Sequence, residues 1–129
     1  MDEAFIKKVQ PNSPEAEQSV IGAMIMDRDA IADVIDIVSA DDFYQKQNGI
    51  LFEAMTELYR EGKPVDLVTL QNQLKKKDVP ESMKSLEFIR DLLEAVPTSA
   101  NAKQYAKIVS EKAKVTYQSG TLLMIMSRD

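Results

Sequence analysis

Residues 11–27, Pro11-Asn12-Ser13-Pro14-Glu15-Ala16-Glu17-Gln18-Ser19-Val20-Ile21-Gly22-Ala23-Met24-Ile25-Met26-Asp27, decide how the chain is read. Ser13 followed by Pro14 marks a helix start. A serine hydroxyl caps a free backbone N–H, and proline at the first helical position has no N–H to lose. Glu15 and Glu17 fall in the first turn, where negative charge suits the helix dipole. Ala16, Val20 and Met24, with Ile21 and Ile25, repeat at helical spacing and predict one apolar face. Gly22 sits inside that helix at a cost of about 1 kcal/mol relative to alanine. Close approach of a neighbouring helix accounts for such a glycine.

Outward from this helix the same signals recur. Residues 1–12 read as an N-terminal arm in which Phe5, Ile6 and Val9 are the docking side chains. On the other side, Asp27 or Asp29 caps a second helix with Ile31, Val34, Ile35 and Val38 at i, i+3, i+4, i+7. Its other face carries Asp29, Asp33 and Asp36. These carboxylates read as a solvated face; a calcium loop needs an oxygen ligand where Ile31 stands. In the connector from Ser39 to Tyr44, Phe43 is expected in the core and Tyr44 half-exposed. A helix over about Lys46 to Glu61 has the widest apolar face and is expected to be the central one. Gly62 and Pro64 end it.

Asp66 caps a fourth helix, with Leu67, Leu70 and Leu74 facing inward and Lys75, Lys76 and Lys77 at its solvated end. After a loop at Pro80, Leu86, Ile89, Leu93 and Val96 mark a fifth helix, with Phe88 and Leu92 beside them. Thr98 or Ser99 caps a sixth, whose buried stripe is Ala102, Tyr105, Ala106, Val109 and Ala113. Lys103, Lys107 and Lys114 lie on its polar face. From Thr116 the character changes: Gly120 punctuates, and Leu122 to Met126 are five consecutive apolar residues with no polar side. Tyr117, Leu122, Leu123 and Ile125 are the candidate protein-interface residues. Met24, Met26, Met55 and Met83 read as adaptable core filler. With no strand alternation and no internal repeat, the fold class is all-α, a compact six-helix orthogonal, bundle-like domain. It divides into the arm 1–12, a body 13–115 and a tail 116–129.

Composition narrows function. The 129 residues are 44% apolar and 29% charged, as in an ordinary soluble domain. No apolar run is long enough to span a membrane and no signal-peptide pattern is present, so a cytoplasmic location is the default expectation. With no Cys and no His there is neither a disulfide framework nor a thiolate or imidazole metal site. No nucleophile–base constellation is visible, which argues against a stand-alone enzyme. Gly62-Lys63 invites a phosphate-loop reading, but Glu57 stands where the loop needs glycine and Pro64 where it needs Ser or Thr. A net charge of −5 opposes tight nucleic-acid binding by this chain.

The stretch Gln10 to Gly22, above all Ala16-Glu17-Gln18-Ser19-Val20-Ile21-Gly22, resembles the opening of the N-terminal domain of the bacterial replicative DNA helicases, the DnaB family. Further stretches resemble the same family in the same order. They are Asp41 to Tyr44, Ile50 to Met55, Leu58 to Leu70, Val96 to Asn101, and Tyr105 to Ala113. After Ala113 the family continues into a helical hairpin rich in Arg and Leu. Residues 116–129 read as the start of a linker or a divergent tail.

The resemblance implies a non-catalytic domain that forms the collar of a hexameric, ATP-driven helicase and sets subunit pairing. It further implies communication with primase and the helicase loader. ATP and Mg belong by the same resemblance to the parent's separate motor domain, which carries the phosphate loop. No cofactor is expected in this chain. Self-association is expected, as a dimer here and a hexamer in the parent, with no membrane partner and little direct DNA binding. The alternative is a stand-alone helical module binding nucleic acid or a replication protein, through Lys75 to Lys77 or the Lys103, Lys107, Lys114 face.

Overall fold

The computed structural model describes residues 13–94 and 101–126, with side chains as far as Lys114. Among them are six α-helices and no strand: α1 (Pro14–Met26), α2 (Arg28–Ile35), α3 (Lys46–Arg60), α4 (Leu67–Lys75), α5 (Leu86–Glu94) and α6 (Ala102–Met126). Two short 3₁₀ turns join them, Ala40–Asp42 before α3 and Glu81–Lys84 before α5. The all-α six-helix class read from the sequence is the one observed.

The start of α1 is set as the residue types dictate. Ser13 is extended, its hydroxyl accepts from the Ala16 N–H, and Pro14 follows. The single apolar face expected of α1 is an understatement. Val20 through Ile25 are buried without a gap, so this segment is enclosed on all sides. It packs on α2, α3, α5 and α6, most extensively on α6. The helix at the centre of the domain is therefore α1, not α3 as the width of apolar faces suggests. Gly22 is buried within it. Met26, at its end, is 45% exposed and does not fill the core. Met24, Met55 and Met83 do.

Helix α2 is shorter than its apolar spacing predicts. Asp27 caps it by accepting from the Asp29 N–H at 2.9 Å. The helix stops at Ile35, and the Ile37 and Val38 N–H groups both donate back to the Val34 carbonyl. Val38 is still buried, delivered by that turn and not by a helix face. Phe43 packs on Phe52 with ring centroids 5.4 Å apart. It belongs to the core, while Tyr44 beside it is 62% exposed, more open than expected.

In α3, Leu51, Phe52, Met55 and Leu58 are buried. Gly62, at φ 73°, closes the helix: its N–H donates to the Tyr59 carbonyl and the Lys63 N–H to that of Leu58. In α4, Asp66 accepts from the Val68 and Thr69 N–H groups while its own N–H donates to the Thr69 hydroxyl. That is a reciprocal capping box. Leu70 and Leu74 are fully buried; Leu67 is only half so. On α5 the buried pair is Ile89 and Leu92, with Phe88 and Leu93 packed against the core. Val96 and the capping residues Thr98 and Ser99 lie outside the described residues, as does the arm 1–12.

Candidate protein-interaction surface

Helix α3 is held at both ends by other elements, and this fixes the surface around it. Its N-cap residue, Gln45, makes no side-chain cap. The Glu17 carboxylate of α1 does the work instead. Its Oε2 accepts from the Tyr44 N–H at 2.9 Å, and its Oε1 from the Gln45 N–H at 3.1 Å and Asn48 Nδ2 at 3.2 Å. Glu17 is 2% exposed. It places a negative charge at the positive end of α3 and uses both oxygens, against two part-buried backbone donors and the buried Asn48 amide. At the other end, the Arg28 guanidinium donates to the Lys63 carbonyl at 2.6 Å and the Tyr59 carbonyl at 3.4 Å. It also lies 4.8 Å from the Tyr59 ring centroid. Acid at the N-terminus and base at the C-terminus both match the dipole, and both come from outside the helix.

The lysine run at the end of α4 divides. Lys75 and Lys76 are exposed. Lys77 is not simply solvated: its Nζ lies 2.6 Å from Glu57 Oε1 and 3.4 Å from Glu53 Oε1, tying the end of α4 to α3. The Glu57 contact is an ion pair with bent hydrogen-bond geometry. Burial pulls the Lys77 ammonium down, but the hydrogen bond and charge of Glu57, with those of Glu53, outweigh it and leave the group above its ordinary value. Lys103, Lys107 and Lys114 are exposed along α6. Asp29, Asp33 and Asp36 are exposed on α2, and no group of three potential metal-ligating side chains is assembled among the described residues.

The Gly62-Lys63 pair sits at a helix C-terminus, the end that repels phosphate. Lys63 is engaged with Glu61 at 2.9 Å, and that hydrogen bond holds the exposed Glu61 carboxyl below its usual range. A nucleotide phosphate therefore finds no cradle there. No helix among the described residues is long and apolar enough to cross a membrane.

The four interface candidates all fall on α6. That helix runs unbroken from Ala102 to Met126, straight through Gly120, where the sequence suggests punctuation. At 25 residues it extends roughly 37 Å. Ala102, Ala106 and Val109 bury its first turns, while Tyr105 and Ala113 are half-buried. Tyr117, Leu122, Leu123 and Ile125 belong to the helix backbone of its second half, and their side chains lie outside the described residues.

The fold matches known proteins. A family model described as the DnaB-like helicase N terminal domain matches residues 9–111. The chain belongs to that family. Among curated relatives, the replicative DNA helicase DnaB of Geobacillus stearothermophilus is 38% identical over 113 residues, covering 88% of this chain and 25% of the relative. The DnaB helicase of Mycobacterium leprae is 39% identical over 103 residues, covering 80% of the chain and 17% of the relative. The chain thus spans a quarter or less of the length of these DnaB relatives.

The crystal structure of the N-terminal domain of DnaB helicase from Mycobacterium tuberculosis is similar at a TM-score of 0.82 and 34% identity, over 93% of this chain and 88% of that one. The N-terminal domain of DnaB helicase from Helicobacter pylori, described with its interactions with primase, shares the fold. Its TM-score is 0.75 at 22% identity, over 99% of this chain and 98% of that one. Within this DnaB-type fold, sequence reading gave Glu17 and Lys77 other roles, a first-turn charge and a solvated helix end, and assigned none to Arg28. Only Glu17 carried a signal, a carboxylate inside an otherwise apolar helix face.

Proposed function

We propose that this chain is the non-catalytic assembly and interaction domain of a hexameric, ATP-dependent replicative DNA helicase. The family match across residues 9–111 carries the reading. In this role the domain builds the collar of the ring, sets the pairing of subunits, and communicates with primase and the helicase loader. ATP and Mg act in the parent's motor, and the parent works in the cytoplasm, where it unwinds DNA. The apolar run Leu122 to Met126, on the second half of α6, supports pairing of two copies through that helix. A closed symmetric dimer buries the run on both chains at once. The H. pylori relative's described interactions with primase favour primase as the second kind of partner. Calorimetric titration with purified primase from the same organism tests this. Saturable binding is expected, and a flat titration at protein concentrations above those of the dimer would remove the primase part of the proposal.

A further inference from the structure

The C-terminal end of α2, the first 3₁₀ turn and one side of α3 enclose an open groove of about 450 Å³. Ile35, Val38 and Phe52 contribute apolar surface to it, and Asp41 and Glu53 contribute carboxylates, with Arg60 as the cation of its lining. Some lining groups are already engaged. The Thr56 hydroxyl donates to the Phe52 carbonyl at 2.8 Å, and Lys77 pairs with both Glu57 and Glu53. The carboxylates at the α2 end of the groove, by contrast, are uncompensated. Asp33 lies in the last turn of α2 and Asp36 is its C-cap residue, and that last turn holds no basic residue. Carboxylates at the negative end of a helix dipole raise its energy, and a cation placed there relieves it. Among the described residues, Asp33, Asp36 and Asp41 form no ion pair.

We propose that this groove docks a short basic, amphipathic segment of another protein. An aliphatic side chain of that segment rests on Ile35 and on the edges of the otherwise buried Val38 and Phe52, and its Lys or Arg residues meet Asp36 and Asp41. Charge complementarity selects the occupant: the acidic rim repels phosphates, so a nucleic acid is disfavoured. The inference uses only this groove and its charges, so it does not depend on the helicase reading or on the second half of α6.

The test uses the full chain and a fluorescein-labelled peptide of lysine and leucine pairs, KKLLKKLLKK, with KKSSKKSSKK as control. The leucine peptide is expected to bind by anisotropy and to shift the ¹⁵N–¹H signals of Val38, Ala40, Phe52 and Glu53. Asp36→Lys with Asp41→Lys should weaken binding about tenfold, and the milder Asp36→Asn with Asp41→Asn by a smaller factor in the same direction. Glu87→Lys with Glu94→Lys makes the same charge change on α5 and should alter binding by less than about twofold, because the intervening solvent screens it. Equal binding of the serine peptide, equal weakening by the α5 pair, or signal shifts centred elsewhere would each overturn the proposal. Unchanged affinity in both groove variants would do the same.

Discussion

Glu17 carries a charge into the core and is stable there because three donors converge on its two oxygens. Truncating it leaves the Tyr44 and Gln45 N–H groups and the Asn48 amide without an acceptor. We expect Glu17→Ala to cost about 3 kcal/mol and Glu17→Gln somewhat less, measured by urea unfolding. An alanine variant as stable as the parent would show that the clamp contributes nothing. Lys77 offers a pH signature. Its folded pKa lies above the ordinary 10.5, so its ion pair contributes fully below that value and is lost as the pH rises through the folded pKa. Thermal melts should therefore show an alkaline loss of stability above about pH 10.5 that Lys77→Met removes. Identical alkaline limbs in parent and variant would contradict it. At this scale the sequence was legible wherever the cap was local, as at Ser13, Asp27 and Asp66. Glu17 was read as a first-turn charge because its real partners are 27 to 31 residues away, a separation no periodicity reports.

Helix starts were legible for α1, α2 and α4 because capping side chains and the first turn are neighbours in the chain; the start of α3 came from its apolar face, since its cap is the remote Glu17. Helix ends were less legible. Apolar spacing extends α2 to Val38, yet Val38 is buried by a turn after the helix has stopped at Ile35. Burial and helicity coincide only while the backbone remains regular. Glycines show the same limit. Gly22 was singled out as the close-contact glycine, and it is buried. Gly22→Leu is expected to cost about 1–3 kcal/mol in urea melts through overpacking, and a neutral result would mean the site has room. A close approach is made at Gly49, where a Cβ would lie 2.8 Å from the Ala40 carbonyl oxygen. That neighbour is backbone and cannot swing aside. Gly49→Ala should therefore destabilise by about 1–3 kcal/mol, displacing the 3₁₀ turn from α3. Full stability with unchanged Phe43 and Phe52 signals in NMR spectra would refute this.

On the scale of the whole molecule, the fold class followed from six apolar-periodic segments with breakers between them. The identity of the central element did not. Amphipathicity singles out helices with one wet face, whereas α1 from Val20 to Ile25 has none. The surface around α3 was also illegible, since it depends on which loop the chain folds beside which helix. As the proposed collar domain of a helicase, the chain should show no ATP turnover in a coupled assay; activity that co-purifies with the protein through repeated columns would contradict that.

The central claim is that this domain assembles through the second half of α6. Sedimentation of the full chain against its Leu122→Glu, Leu123→Glu variant tests it most directly. The account predicts a dimer for the parent and a folded monomer of unchanged helicity for the variant. Two monomers, with the variant melting at a lower temperature, would mean that Leu122 and Leu123 pack inside one chain and that the assembly surface lies elsewhere.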